Sequence, residues 1–365
     1  MAYKYKHFIP QNTAPSGAKC IGVYDNNGNK VCSIPLGKLT PPSKEKLYSF
    51  GLVSDIHLYD TSENNSKDNP SVDVGVWKPN TKFDNALTYF ENQGCLFCCI
   101  CGDLTQTGFY RRTNESDAST TYLDEYQLLK YQTICGNHSI PIYEIAGNHE
   151  SYYSKNITEN LIKWNTYTGE RALYYTVSQG NDLFIFLGQP SGTTPMSTEA
   201  LSFLSTTLSA NSNKRCFVFV HPHISSGNAL GKYEINNFFN TWGSTTDFVN
   251  LLKGHKNTIL FHGHSHFQLE CQEVDETANY TEKDGFKSMH IPSLSRPCAI
   301  VNGVRTYQDA KSQGYVVDVY DDCIVLNGMD LINNECVPLG TYKIDTKLQA
   351  IAPNTFTDST GTITI

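Results

Sequence analysis

Five short stretches of the chain combine aspartate, asparagine and histidine side chains, and each follows an apolar run. In chain order they are Asp55-Ile56-His57, Gly102-Asp103, Gly147-Asn148-His149-Glu150, Val220-His221-Pro222-His223 and Gly263-His264-Ser265-His266. Carboxylate, amide and imidazole ligands without a thiolate suit Mn, Fe, Ni or Zn ions in five- or six-coordinate sites. A carboxylate can also bridge two ions about 3.5–4 Å apart, which together hold the attacking and leaving oxygens of a phosphoryl transfer. These residue types therefore predict a metal centre.

The apolar runs that precede these stretches have the character of strands covered on both faces. They are short and rich in aromatic and β-branched residues. The runs are Tyr48–Ser54, Cys95–Cys101, Ile140–Ala146, Leu183–Leu187, Cys216–Val220 and Thr258–Phe261. Ligands in layered α/β sheets bind beyond the carboxyl ends of the strands. Because the metal-binding residue types come directly after the runs, the pattern predicts that they meet at one edge of the core.

Helical patterns lie between several of these runs. One has apolar residues at helical spacing and stops at Gly94: Phe83, Ala86, Leu87 and Phe90. Another follows Ser197 and Thr198, either of which could be the N-cap, and its apolar positions are Leu201, Leu204 and Leu208. Alternating strands and helices predict an α/β fold.

The order D-x-H, G-D, G-N-H-E, H and G-H-x-H resembles that of the calcineurin-like metallophosphoesterases, with all five motifs present. The resemblance implies two mixed β-sheets packed as a sandwich and flanked by helices, a four-layer αββα arrangement. The later apolar runs Lys287–Ile291, Tyr315–Tyr320 and Cys323–Leu326 fit the second sheet. Asp321-Asp322, between the last two, predicts a hairpin turn.

The resemblance also implies seven ligands shared between two divalent or trivalent ions of Mn, Fe, Zn or Ni. Those of the first ion are Asp55, His57 and His266, those of the second are Asn148, His221 and His264, and Asp103 bridges both. A hydroxide bridging the ions would be the nucleophile, because metal coordination lowers the pKa of water from about 15.7 towards about 7.

Other residues are expected beside the ions. The resemblance implies that His149 donates a proton or a hydrogen bond to the leaving-group oxygen. Glu150 could be the carboxylate that holds an imidazole in one tautomer. His223 is expected to contact substrate or to lie at the rim. Arg111 and Arg112 are candidate substrate-binding residues, and a solvated loop is their alternative.

These expectations describe a metal-dependent phosphoesterase, with phosphodiesters as the favoured substrates. A phosphodiester is a monoanion that two cations neutralise, whereas a monoester dianion usually requires further basic side chains. Two alternatives stay open. One is a phosphomonoesterase, including a protein phosphatase, and the other is a non-catalytic binding module on the same fold.

The net charge and the apolar runs limit which partners and which cellular compartment are expected. The 365 residues carry a net charge of −8, which argues against a protein that binds nucleic acid through a basic surface. Two divalent ions would dominate the local field, so a phosphoester substrate is compatible with this charge. No apolar run approaches the roughly 20 residues needed to span a bilayer, and the first residues have no signal-peptide core. A cytoplasmic location is therefore expected.

Four of the twelve cysteines lie close together, at Cys95, Cys98, Cys99 and Cys101. In a strand, the rise of about 3.3 Å per residue places the first and the last about 20 Å apart. Alternate side chains also face opposite ways, so the four thiols cannot converge on one ion. The pattern predicts buried, reduced thiols that pack as small apolar side chains.

Three segments are expected. Residues 1–45 form an N-terminal hairpin and linker, 46–330 the catalytic domain, and 331–365 an extension that packs on it or is partly frayed. The hairpin is predicted from Cys20–Tyr24 and Lys30–Ile34, which flank an Asn- and Gly-rich turn. This segment resembles attachment segments of bacteriophage tail-associated proteins. The resemblance implies attachment to an oligomer or a phage particle through residues 1–45.

Overall fold

The computed structural model describes most of the region that carries the five motifs. The described residues are 45–59, 77–106, 126–151, 157–169, 171–191, 196–222, 245–270, 279–282, 286–301 and 304–346. Backbone strand pairing is also described at 20–24, 30–35, 110–112, 121–123, 355–358 and 361–364.

Helices and strands alternate along the first two thirds of the chain. The helices are α1 (Pro79–Asn92), α2 (Tyr126–Gly136), α3 (Ile157–Tyr167), α4 (Thr198–Ala210) and α5 (Thr245–Gly254). The strands are β1 (Cys20–Tyr24), β2 (Lys30–Pro35), β3 (Tyr48–Val53), β4 (Cys98–Ile100), β5 (Tyr110–Arg112), β6 (Thr121–Leu123), β7 (Ile142–Glu144), β8 (Tyr174–Gln179), β9 (Asp182–Leu187), β10 (Arg215–Val220), β11 (Thr258–His262), β12 (Tyr280–Thr281), β13 (Lys287–His290), β14 (Cys298–Val301), β15 (Val304–Tyr307), β16 (Gln313–Val319), β17 (Cys323–Asp330), β18 (Glu335–Cys336), β19 (Tyr342–Asp345), β20 (Thr355–Asp358) and β21 (Gly361–Thr364).

Two mixed sheets carry the motif strands. The first has the order β18-β17-β16-β3-β4-β7, with β19 paired to β17, and the second has the order β12-β13-β11-β10-β9-β8. Within the first sheet β3, β4 and β7 run parallel. Within the second, β9, β10, β11 and β13 run parallel. The carboxyl ends of the motif strands therefore gather at one edge of each sheet.

Three apolar cores define four layers. Phenylalanines such as Phe50, Phe184 and Phe217 fill the space between the sheets. The outer face of the first sheet packs against α1, α2 and α3, and that of the second packs against α4 and α5. Each of the two sheets is thus covered on both faces, which explains the continuous apolar runs of the parallel strands within it. The predicted αββα sandwich is confirmed.

The helices begin and end close to the predicted positions. The apolar face predicted for α1 is buried, and Gly94 follows the helix with a φ of 69°. The choice of N-cap for α4 is settled in favour of Ser197, whose side chain accepts a hydrogen bond from the amide of Ala200 at 3.2 Å. The predicted turn at Asp321-Asp322 joins β16 and β17, which pair antiparallel.

One strand assignment is wrong. The runs at Lys287–Ile291, Tyr315–Tyr320 and Cys323–Leu326 were expected in the same sheet. Instead β13 runs parallel to β11, whereas β16 runs antiparallel to β3 in the other sheet. Apolar runs identify strands, but the pairing partner is set by contacts between residues far apart in the chain. The sequence pattern carries no information on that choice.

The cysteine-rich strand behaves as its geometry predicts. Cys98 faces the core beneath the helices, whereas Cys99 and Cys101 face the core between the sheets. All three are fully buried and occur as free thiols. Burial raises the pKa of each of the three thiols well above its usual value, so they are protonated at neutral pH.

The terminal regions are described only in part. β1 and β2 pair antiparallel, as predicted for the N-terminal hairpin. In the predicted extension, β18 and β19 both pair with β17 and so continue the first sheet. The three segment boundaries stay predictions. Among the described residues, no helix has the length and apolar character that a membrane span requires.

A buried ion pair ties the two sheets together at the end opposite the motifs. Arg215 donates two hydrogen bonds of 2.7 Å to Asp182, and a third and fourth to the carbonyl of Tyr320 and the hydroxyl of Thr346. The hydroxyl of Tyr48 donates to the same carboxylate at 2.5 Å. Asp182 and Arg215 begin β9 and β10, whereas Tyr48 begins β3, so the network spans both sheets.

Removing the carboxylate of this network should strongly destabilise the fold. We expect Asp182→Ala to lower the free energy of unfolding by about 3–5 kcal/mol, because a buried guanidinium is left without its counter-ion. Denaturant unfolding measures the change. The double variant Asp182→Leu/Arg215→Met is the control and should be less destabilised. A single variant as stable as the wild type would show that water or other groups satisfy the arginine.

Candidate metal centre

The predicted ligands of the first ion converge at the ends of β3 and β11. The imidazole Nε2 atoms of His57 and His266 lie 3.0 Å apart, and His266 Nε2 lies 3.2 Å from Asp55 Oδ1. His57 Nε2 is 3.7 Å from Asp103 Oδ2. One ligand-type atom from each of the four residues lies within 4.8 Å of the others. All four residues are buried, so the site is screened from bulk water.

The predicted ligands of the second ion form an adjoining group around the same carboxylate oxygen. His221 Nε2 lies 3.1 Å from both Asp103 Oδ2 and Asn148 Oδ1. His264 Nδ1 lies 2.9 Å from Asn148 Oδ1 and 3.2 Å from His221 Nε2. Asp103 belongs to both groups. The structure therefore brings all seven predicted ligands together and places Asp103 between the two sets.

Backbone carbonyls orient two of the imidazoles. His221 Nδ1 donates to the carbonyl of Cys101 at 2.7 Å, and His266 Nδ1 donates to the carbonyl of Arg296 at 3.3 Å. With Nδ1 protonated, Nε2 of each neutral ring carries a lone pair directed at the other ligand atoms. This is the usual way in which a metal-binding histidine is held in one tautomer.

The donor set fits a cation. Without an ion, a proton on His221 Nε2 separates this nitrogen from the oxygens of Asp103 and Asn148, in line with the raised pKa of His221. When that proton leaves, three acceptors face one another. Oδ1 of Asp55 is buried and has no hydrogen-bond partner among the described residues. Such an arrangement of buried acceptors is costly unless a positive charge compensates it. Nitrogen and oxygen donors of this kind suit divalent transition metals.

The backbone at the site is strained. Seven non-glycine residues among those described have a positive φ, and five of them are predicted ligands: Asp55 (52°), His57 (51°), Asp103 (52°), His264 (70°) and His266 (62°). Each such residue costs on the order of 1–3 kcal/mol, and strain of this kind clusters at functional sites. The concentration of strain on the ligands is independent of the distances and points to the same residues.

Two motif glycines allow the strands to approach each other closely. A Cβ on Gly147 would lie 2.2 Å from Asp103 Oδ1. A Cβ on Gly102, which has a φ of 87°, would lie 2.4 Å from His221 Nδ1. Both contacts are shorter than any van der Waals contact. Glycine is therefore required at these positions because the side chains of the site occupy the space.

His149 lies beside the predicted ligands. Its Nδ1 donates to the carbonyl of Gln106 at 2.5 Å, and its Nε2 lies 4.0 Å from Asp103 Oδ2. Its ring meets that of His57 edge to face, with centroids 4.6 Å apart. The side chain is 24% exposed, in contrast to the buried side chains of His57, Asp103 and His221. Its Nε2 is therefore at the mouth of the site.

Glu150 does not have the role that was expected for it. Its carboxylate accepts hydrogen bonds from the backbone amides of Asp103, Gly147 and Thr105, at 3.1, 2.6 and 3.0 Å, and from the Thr105 hydroxyl. The prediction of a bond to an imidazole is wrong, because both carboxylate oxygens accept hydrogen bonds from these amides instead. Glu150 instead joins the loops that follow β4 and β7, and so fixes the position of Asp103.

Burial and proximity shift the proton equilibria of the site. Burial alone would raise the pKa of Asp103, but the imidazoles of His221 and His149 hold it well below its usual range. Burial would lower the pKa of His221, and the Asp103 carboxylate more than offsets this and raises it to about 9. Burial lowers the pKa of His57 well below its usual value. The Asp103 carboxylate is therefore ionised.

Comparison with known proteins agrees with the site. A sequence model of the calcineurin-like phosphoesterases matches residues 48–268 of the chain. The chain belongs to the calcineurin-like phosphoesterase family. The matched region contains all five motifs, from Asp55 to His266. Membership supports metal-dependent hydrolysis of phosphoric esters. No curated protein sequence matches the chain.

Solved structures share the fold at low sequence identity. A dimetal phosphatase from Danio rerio has a TM-score of 0.56 and 12% identity, over 83% of this chain and 100% of that one. GAP50, the anchor in the inner membrane complex of Plasmodium, has a TM-score of 0.53 and 13% identity, over 84% and 90%. A purple acid phosphatase from yellow lupin seeds has the same score and identity, over 84% and 55%.

Three predicted substrate contacts lie beyond what the structure describes. His223 is outside the described residues. Arg111 and Arg112 are in β5, where only the backbone pairing with β6 is described. Their roles stay predictions.

Further residues support the calcineurin-like site, and four of the five lie outside the motifs. Ser265 Oγ lies 2.7 Å from His290 Nε2, and His290 Nδ1 lies 3.2 Å from Asn279 Oδ1. The hydroxyls of Ser293 and Ser295 both donate to the carbonyl of Asp55. All five are buried. Of these five, Ser265 lies in a motif and His290 in the apolar run Lys287–Ile291, but the sequence indicated no role for any of them.

Proposed function

We propose that the chain is a phosphodiesterase that hydrolyses its substrate with two metal ions. The observation that carries the proposal is that Asp103 belongs to both groups of oxygen and nitrogen atoms, with its Oδ2 3.7 Å from His57 Nε2 and 3.1 Å from His221 Nε2. Asp55, His57 and His266 would hold one ion, and Asn148, His221 and His264 would hold the other. Bound there, two divalent ions would neutralise phosphate charge and lower the pKa of water from about 15.7 towards about 7.

The protein's own groups have two tasks in this reaction. Nδ1–H of His149 donates to the carbonyl of Gln106, which leaves Nε2 to face the leaving group. In its imidazolium form His149 would deliver the Nε2 proton to the leaving-group oxygen and return to the neutral ring. Glu150 would keep the amides of Asp103 and Thr105 in place, and with them the carboxylate that belongs to both ligand groups. General-acid catalysis of this kind contributes about 10²–10⁴-fold.

The preference for diesters rests on charge. The described guanidinium groups nearest the first ligand group are already engaged: Arg296 Nε donates to Asp309 Oδ1 at 2.9 Å, and Arg305 Nη2 donates to the carbonyl of Ser265 at 2.6 Å. A monoester dianion would require a cation committed to its extra charge. Two metal ions suffice to neutralise the single negative charge of a diester. A diester therefore fits the site better than a monoester does.

A screen with two aryl esters tests the proposal. The metal-supplemented protein should hydrolyse bis(p-nitrophenyl) phosphate with a higher kcat/KM than p-nitrophenyl phosphate. The opposite order would favour the phosphomonoesterase alternative. Hydrolysis of neither ester by the metal-loaded protein would favour a binding module on the same fold.

A further inference from the structure

A β-hairpin is fixed against the segment that carries His266. The amide of Cys298, the first residue of β14, donates to the carbonyl of His266 at 2.7 Å, and the amide of Gln268 donates to the carbonyl of Cys298 at 2.9 Å. β14 and β15 pair antiparallel, with Cys298 opposite Tyr307. The end of β15 therefore lies directly beside a predicted ligand.

Tyr307 faces this ligand and remains open to solvent. Its ring centroid is 5.8 Å from that of His266, at an interplanar angle of 71°. The residue is 41% exposed, although it neighbours a buried site. Its hydroxyl makes no hydrogen bond with the described residues, so this side chain is not tied down through its polar end. Tyr307 therefore presents an exposed aromatic ring at the edge of the site.

Neighbouring side chains hold the ring in place. The guanidinium of Arg296 lies between two rings, with its Cζ 4.1 Å from the centroid of Tyr307 and 5.1 Å from that of Trp77. Arg296 is itself fixed by its bond to Asp309, and Trp77 is buried. The Cζ of Arg305 lies 5.3 Å from the Tyr307 ring. An exposed ring held in this way loses little conformational entropy when it binds a ligand.

Tyr307 ends a row of four rings that begins at His149. The rings of His149, His57, His266 and Tyr307 follow one another, with centroid separations of 4.6, 4.8 and 5.8 Å. His149 is the residue proposed to protonate the leaving group. A leaving group that extends from His149 along this row and past His266 would therefore meet Tyr307.

We infer that Tyr307 is a specificity-determining residue that packs against the leaving group and selects phosphoesters whose leaving group carries an aromatic ring, such as a phenol or a nucleoside. The inference rests on the proposed function and adds the chemistry of the leaving group to it. We do not expect an anionic leaving group to be preferred. The guanidinium groups beside the ring, those of Arg296 and Arg305, already donate to Asp309 and to the carbonyl of Ser265.

A pair of substrates of equal chemical reactivity tests the inference. Two methyl phosphodiesters are compared, one that releases a phenol and one that releases a halogenated alkyl alcohol of the same pKa. The wild type should prefer the aryl ester. Tyr307→Ala should lower kcat/KM for the aryl ester by about tenfold, the loss expected when a stacking ring is removed. It should leave the alkyl ester and the metal content essentially unchanged.

Two further variants isolate the ring. Tyr307→Phe should keep the aryl preference, because the ring is retained. Val304→Ala changes an exposed residue of the same hairpin and should alter neither substrate. Equal losses for both esters in Tyr307→Ala, or no loss for either, would overturn the inference. A wild type inactive towards both esters would instead contradict the proposed function itself.

Discussion

Replacing Asp103 with alanine should abolish hydrolysis and remove metal from both ligand groups. Asp103 Oδ2 lies 3.7 Å from His57 Nε2 and 3.1 Å from His221 Nε2, so one substitution removes an anionic oxygen from each group. The remaining imidazoles would then share a single carboxylate, that of Asp55. Elemental analysis of the purified variant, together with rates on bis(p-nitrophenyl) phosphate, measures both effects.

A matched control separates this effect from general damage. Asp345 carries a carboxylate that is 80% exposed, so Asp345→Ala removes a charge from the surface and should retain metal and activity. Asp103 Oδ1 also accepts a hydrogen bond from the amide of His149 at 2.9 Å, and a thermal melt checks that the variant folds. An Asp103→Ala protein that keeps two ions and its activity would show that the bridging role is wrong.

His149→Ala should slow turnover without removing metal. The imidazole stands beside the ligands, and its Nε2 is 4.0 Å from the nearest Asp103 oxygen. Loss of a general acid typically costs about 10²–10⁴-fold in rate. The loss should shrink for esters with good leaving groups, which require little protonation. Single-turnover rates across a series of aryl esters, with metal content measured in parallel, test both statements.

The same series of aryl esters tests whether His149 is a general acid or a metal ligand. His255→Ala is the histidine control, because His255 follows α5 and lies at the start of β11, at the opposite end of the strand from His264 and His266, and should affect neither rate nor metal. If His149→Ala instead lost its metal, the residue would be a ligand. If the loss in rate were equal for all leaving groups, proton donation would not be its role.

The motif residues were predictable because their signal is local. Each predicted ligand follows an apolar run directly, and parallel strands bring their carboxyl ends to one edge whatever their order in the sheet. Asp55 and His221 could therefore be expected to meet although 166 residues separate them. The opposite orientations of Cys98 and Cys99 followed from the two-residue period of a strand in the same way.

Features that depend on distant contacts were not predictable. β13 joins β11, whereas β16 joins β3, and no local pattern records which partner a buried strand chooses. Glu150 was expected beside an imidazole because it follows one in sequence. The turn after β7 instead directs its carboxylate to the amides of Asp103 and Thr105. Tyr307 carried no signal at all, since its position beside His266 depends on the pairing of β14 with β15.

Metal stoichiometry is the most direct test of the account. The wild-type protein is stripped with a chelator, reconstituted with Mn²⁺ or Zn²⁺ and freed of excess ions, and its metal is then measured per chain. The two adjoining ligand groups predict two ions, loss of phosphodiester hydrolysis on chelation, and recovery on metal return. A protein that binds no ion after reconstitution, or that hydrolyses diesters equally well in excess chelator, would contradict the proposed metal centre.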